Sequence, residues 1–157
     1  MDAFELLMND HRKVSEIFDR MESGDSSLRR ELFPRLKQEL DVHAHVEETI
    51  LYPALKERAE TRDLATHAYA EHNEVKRMLD ELQAGLTGAD DGAWGTKLSK
   101  LRQSVEYHVQ EEEGEMFTRA RAALDDEQIA QLGRRMAEAK QQQQAVLGAT
   151  KSASAGD

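Results

Sequence analysis

A polar motif lies on the apolar face of two separate helical segments, and it is repeated. His43-x-x-x-Glu47-Glu48 recurs 65 residues later as His108-x-x-x-Glu112-Glu113. The register extends to the flanking positions, where Leu36, Leu40 and Tyr52 answer to Leu101, Val105 and Phe117. A weaker repeat lies between the two copies: Asp10-His11 precedes Val14 and Phe18, and Glu71-His72 precedes Val75 and Leu79. Each half of the chain therefore reads as a helix with one inward histidine, followed by a helix with an inward histidine and glutamate. This pattern predicts four helices around a shared polar centre.

Residues four apart on a helix differ by about 40° in direction, so His43 and Glu47 share a face, as do His108 and Glu112. Leu36, Leu40, His43, Glu47, Ile50 and Ala54 step by fours and threes, which makes the polar pair part of the apolar stripe. A buried carboxylate costs several kcal/mol unless a cation and hydrogen bonds compensate it. The first four stripes carry no lysine or arginine at that level. Four imidazoles and two carboxylates in a dry centre suit metal ions, with iron, zinc, copper or manganese favoured over magnesium or calcium. The donor count exceeds what one tetrahedral zinc needs, so two metal ions fit better than one.

Length and composition narrow the class. The 157 residues suffice for a domain that buries a core without staples. There is no cysteine, which excludes disulfides, thiolate ligands and thiol catalysis. The net charge is -10, and the small basic clusters Arg29-Arg30 and Arg134-Arg135 sit among acids, so no nucleic-acid partner is expected. Apolar runs are too short for a membrane span and the start MDAFELLMND is acidic, so the expected setting is the cytoplasm, with no membrane partner.

Apolar residues recur at threes and fours without sustained alternation, so the fold class is all-α. Helices are expected over roughly 2–22, 27–58, 61–84 and 93–123, with Ser26 or Ser27 capping the second and Pro34 kinking it or marking its start. A fifth, C-terminal helix is expected from about 126 to 146, with acid at its start. The organisation is then a four-helix bundle over 1–123, a C-terminal helix over 124–147 and a flexible tail over 148–157. Ile129, Leu132 and Met136 give the fifth helix a modest apolar stripe that covers either its own bundle or a second chain, leaving monomer and homodimer both open.

The ordered set Asp10-His11, His43-Ala44-His45-Val46-Glu47-Glu48 leading to Leu51-Tyr52-Pro53, Glu71-His72, and His108-Val109-Gln110-Glu111-Glu112-Glu113 leading to Met116-Phe117 closely resembles the hemerythrin-like, or HHE, cation-binding domains. The resemblance covers roughly residues 3 to 120. It implies an up-down-up-down four-helix bundle holding two iron ions joined by carboxylates and an oxo or hydroxo bridge. It further implies His11, His43, His72 and His108 as terminal ligands and Glu47 and Glu112 as bridging ones. Oxygen-carrying members add a histidine one turn before the third-helix histidine, where this chain has Ala68. That departure disfavours reversible dioxygen carriage and leaves an open position or a substitute ligand, for which Tyr69 ranks first, ahead of Glu113 and His67.

Ferritin-like di-iron proteins require Glu-x-x-His, and none of the residues three before a histidine is acidic here. A Gly-x-Ser-x-Gly nucleophile elbow is also absent. The expected function is a di-iron protein that binds, senses or reacts with dioxygen, nitric oxide or hydrogen peroxide, in a cavity lined by Leu7, Ile50, Leu51 and Met116. The alternatives are an iron-responsive or iron-holding module without catalysis and a structural interaction domain.

Overall fold

A computed structural model describes the backbone of residues 1–155 and the side chains of residues 1–148. Helix α1 (Ala3–Ser23) begins with a reciprocal cap: Glu5 N–H donates to the Asp2 carboxylate at 2.9 Å and Asp2 N–H to the Glu5 carboxylate at 3.2 Å. Helix α2 (Ser26–Val46) is capped by Asp25, which accepts from Leu28 N–H, rather than by either of the following serines. Pro34 lies inside α2 without ending it. Burial of its neighbours Leu32, Phe33 and Leu36 offsets the roughly 3 kcal/mol that an interior proline costs.

The path of α2 continues through one π-helical turn, Glu47–Leu51, into α3 (Tyr52–Lys56). Helix α4 (Arg62–Ala84) returns, and α5 (Asp91–Glu111), capped by Asp90, passes through a second π turn, Glu112–Met116, into α6 (Phe117–Ala123). The result is the expected all-α, up-down-up-down bundle. Both π turns begin at the repeated inward glutamate, and each adds one residue to the local repeat. The inward stripe after Glu47 therefore passes to Leu51, Tyr52 and Leu55, all fully buried, instead of the expected Ile50 and Ala54. In the second half it passes to Met116, Phe117 and Ala120.

Helix α7 (Asp126–Ala155) is the expected additional helix, and it covers its own bundle. It packs on α1, α2 and the first π turn, burying Ile129, Leu132 and Met136. Gly133 permits the approach, because a Cβ there would lie 2.7 Å from backbone atoms of Asp2 and Ala3. The helix runs past the expected end near 147, since nothing between Gln141 and Ala155 supplies a proline stop. The expected flexible tail over 148–157 falls partly on residues 156–157, outside the described ones. No described helix is long and apolar enough to cross a membrane.

The bundle holds two apolar clusters. One gathers Phe4, Leu7, Leu51, Tyr52, Leu55, Phe117 and the α7 stripe; the other gathers Phe18, Met21, Phe33, Leu36, Leu79, Leu82, Trp94 and Leu101. Trp94, near the start of α5, donates its indole N–H to Leu82 O at 2.9 Å. Along α1, α2, α4 and α5 the residues between the clusters are the histidines and acids of the repeat. The polar layer is thus sealed above and below by apolar side chains.

Candidate metal centre

All six repeated donors meet in this layer. His11, His43, His72 and His108 are each at most 8% exposed, and Glu47 and Glu112 at most 1%. Their donor atoms fall into two groups, His11 with His43 and Glu112, and Glu47 with His72 and His108, each group lying within 4.8 Å. Both carboxylates reach across. Glu112 places Oε1 3.1 Å from His11 Nε2 and Oε2 3.3 Å from His108 Nε2. Glu47 Oε1 lies 2.9 Å from His43 Nε2 and 3.2 Å from His72 Nε2.

These approaches are mostly not hydrogen bonds. His11 Nε2, His43 Nε2, both oxygens of Glu47 and Glu112 Oε1 are buried without a hydrogen-bond partner, so lone pairs point into a common space. Native interiors leave few such orphans. Five at one level fit a metal centre, for which imidazole nitrogens and carboxylate oxygens are the right donors.

The far sides of the imidazoles are held by a second ring of acids, and every acid of the repeat takes part. His43 Nδ1–H donates to Asp10 at 3.0 Å, His108 Nδ1–H to Glu71 at 2.9 Å and His72 Nδ1–H to Glu48 at 3.2 Å. His11 Nδ1 stands 3.3 Å from Glu113, without hydrogen-bond alignment. Asp10 and Glu71 thus serve the second histidine of their own half, and Glu48 and Glu113 the first histidine of the other half. Such outer carboxylates fix the tautomer and leave Nε2 as the free donor.

Charge inside the layer is strongly negative. Burial alone would lower the His43 pKa, but Glu47, Asp10 and Glu112 outweigh it and push it up to about 10. His108 is raised in the same way, its burial overcome by Glu112, Glu47 and Glu71. Burial raises Glu47, yet His43 above all, with Glu112 and His108, holds it well below the carboxylate range. The site favours whatever positive charge it can obtain.

Tyr52 enters the centre, although its place in the register suggests core packing. Its hydroxyl donates to Glu112 Oε2 at 2.8 Å and lies 3.2 Å from His72 Nε2. Burial and the two glutamates push its pKa well above normal. The π turn delivers it, since Tyr52 N–H bonds Glu47 O five residues back. Periodicity at 3.6 could not place it.

The candidates for an extra ligand lie elsewhere. Tyr69 donates to the backbone oxygen of Glu48 at 2.8 Å, which turns its hydroxyl away from the six donors. His67 is 61% exposed, 3.6 Å from Glu71 and 3.5 Å from Glu111, outside the layer. Glu113 faces the outer side of His11. Glu48, whose acidic run suggests a solvated face, is an outer partner of His72 and is ion-paired to Lys76 at 3.0 Å.

Cavities adjoin the layer, two of them lined by several of its residues. The first, with about 40 Å³ for the centres of water-sized molecules, is lined by all four histidines, by Val14, Leu40, Ala44, Val75, Leu79, Val105 and Val109, and by Asp41 and Lys76. The expected lining of Leu7, Ile50, Leu51 and Met116 is incorrect for it: Leu7, Leu51 and Met116 belong to the opposite apolar cluster and Ile50 packs against that cluster. The second, of about 140 Å³, runs beside Ala68 to His108, Glu112 and Met116 under an acidic rim of Asp63, Glu71, Glu111 and Glu115.

The model of the hemerythrin HHE cation binding domain family matches residues 2–120. A curated relative from Nostoc sp. (strain PCC 7120 / SAG 25.82 / UTEX 2576), named DNA nickase, is 30% identical over 152 residues, covering 94% of this chain and 42% of the relative. The chain spans about two fifths of that protein's length. No solved structure matches it.

Proposed function

The chain belongs to the hemerythrin HHE cation binding domain family, and we propose that it holds two iron ions and binds, senses or reacts with a small oxidant of the size of dioxygen, nitric oxide or hydrogen peroxide. His11, His43, His72 and His108 would hold the metals together with Glu47 and Glu112, each of which reaches histidines of both donor groups. The carrying observation is the small apolar cavity onto which all four imidazoles open. Its size holds two or three water-sized molecules, enough for a diatomic or a peroxide and too little for an organic substrate. When bound, the irons supply one-electron redox chemistry and, with Ala68 in place of a fifth histidine, a coordination position for the oxidant.

The protein's own groups do the rest. Valine and leucine make most of the cavity's exposed wall apolar, which suits a neutral small molecule, although Asp41 and Lys76 also belong to its lining. The outer carboxylates hold the imidazole rings at fixed tautomer, so no reorganisation is needed as metal charge changes. The Tyr52 hydroxyl keeps one Glu112 oxygen in place and, among the described residues, is the only phenol beside the six donors. Stopped-flow mixing of the ferrous protein with peroxide or nitric oxide tests the reading. Val75→Phe, which fills the cavity from a half-buried position, should slow the reaction several-fold at unchanged iron content; an unchanged rate contradicts the cavity's role.

A second reading, metal-dependent nicking of DNA, rests on the 30% identity to the Nostoc protein. The net charge of -10 opposes a polyanion. Nicking of supercoiled plasmid that chelation and Glu112→Ala both abolish would replace the oxidant reading.

A further inference from the structure

Of the four outer carboxylates, Asp10 alone is fully enclosed, at 4% exposure, and its counter-charge comes from a helix outside the residues that the family covers. The ammonium of Lys140 on α7 ion-pairs with Asp10 Oδ1, while Asp10 Oδ2 accepts from His43. The Lys140 side chain is 16% exposed. Its position is fixed by the docking of α7 through Ile129, Leu132, Met136 and the close approach at Gly133. The other outer acids are differently placed. Glu48 pairs with Lys76, which is 46% exposed, Glu71 lies near the exposed His67, and the Glu113 side chain is 36% exposed.

We propose that Lys140 is a positioning residue of the metal centre, through which α7 makes the two metal positions inequivalent. The inference rests on the di-iron reading above. A largely enclosed ammonium behind Asp10 weakens that carboxylate's hold on the His43 Nδ1 proton, so His43 donates less charge through Nε2. The metal position beside His11 and His43 would then be the more easily reduced of the two, and the one beside His72 and His108 the less easily reduced. Water screens Lys76 behind Glu48, so the matching effect on the second position is smaller.

The test uses the full chain loaded with iron, with parent iron content measured first, because a parent that does not bind two irons defeats the underlying reading and not this one. Mediated one-electron reduction, followed by the paramagnetic resonance of the half-reduced state, reads the first potential. Lys140→Met should lower it by about a tenfold shift in the reduction equilibrium, ~59 mV, Lys140→Arg should restore it, and Lys76→Met should move it less. An unchanged potential in Lys140→Met at two irons per chain, or a larger shift in Lys76→Met, overturns the proposal. If Lys140→Met does not retain iron, cobalt(II) titration of the metal-free variant decides. One of two equivalents weakened roughly tenfold supports it; both weakened alike overturns it.

Discussion

The half of the chain around His43 and the half around His108 place the same donors at the same depth, and each begins a π turn at its inward glutamate. One residue past those turns they part. The first half delivers Tyr52, whose hydroxyl reaches Glu112 in the other half, and the second delivers Phe117, whose ring packs at a tilt against Phe4 with centroids 4.6 Å apart. A second difference lies behind the imidazoles, where Asp10 meets the ammonium of Lys140 while Glu71 meets the exposed His67 and the carboxyl group of Glu111. A duplicated scaffold thus yields a centre with two unlike sides, because the residues that differ touch the donors from outside.

The largest effect should come from removing what the halves share. Glu47→Ala or Glu112→Ala should abolish bound metal and the ferric absorption, and lower the melting temperature of protein purified with iron, since bound metal stabilises the fold by mass action. The exposed His45→Ala should do neither; all three variants behaving alike in metal content would contradict the site. Next come the outer acids. Asp10→Asn and Glu71→Gln should each weaken metal binding about 10–100-fold. Asp10→Asn should be the more destabilising, because it leaves Lys140 half-paired; equal melting points would remove that difference between the halves.

Tyr52→Phe makes the halves alike at the position where they diverge. It should keep both metals, alter the ferric spectrum and cost about 1.5–3 kcal/mol, the worth of a hydrogen bond to a charged group. A spectrum and melting point identical to the parent would reduce Tyr52 to packing. For metal-free protein, the raised His43 pKa contributes stability that is complete below the ordinary value of 6.5 and lost as pH rises through about 10. Melting curves of the metal-free form should therefore fall in alkali more steeply than those of the loaded form. Tyr69→Phe should have the smallest effect, leaving the metal spectrum unchanged, since the Tyr69 hydroxyl is engaged by the Glu48 carbonyl.

The bundle and the six converging donors were legible because the repeat placed charged residues on apolar stripes, where solvation gives them no bland explanation. The outer acids were partly legible: Asp10 and Glu71 precede histidines, and Glu48 and Glu113 follow glutamates, at matched offsets. Their partners were not, since each acid serves a histidine on another helix. Tyr52 escaped because a π turn leaves no mark in a 3.6-residue period. Lys140 escaped because 130 residues separate it from Asp10, and only the docking of α7 joins them.

The most direct test of the central claim is the metal content of protein purified without chelator from iron-supplemented cells, by plasma mass spectrometry. Two irons per chain is the predicted result. About one zinc per chain, or no metal, would contradict it and leave the paired His-Glu repeats without the ions that their geometry calls for.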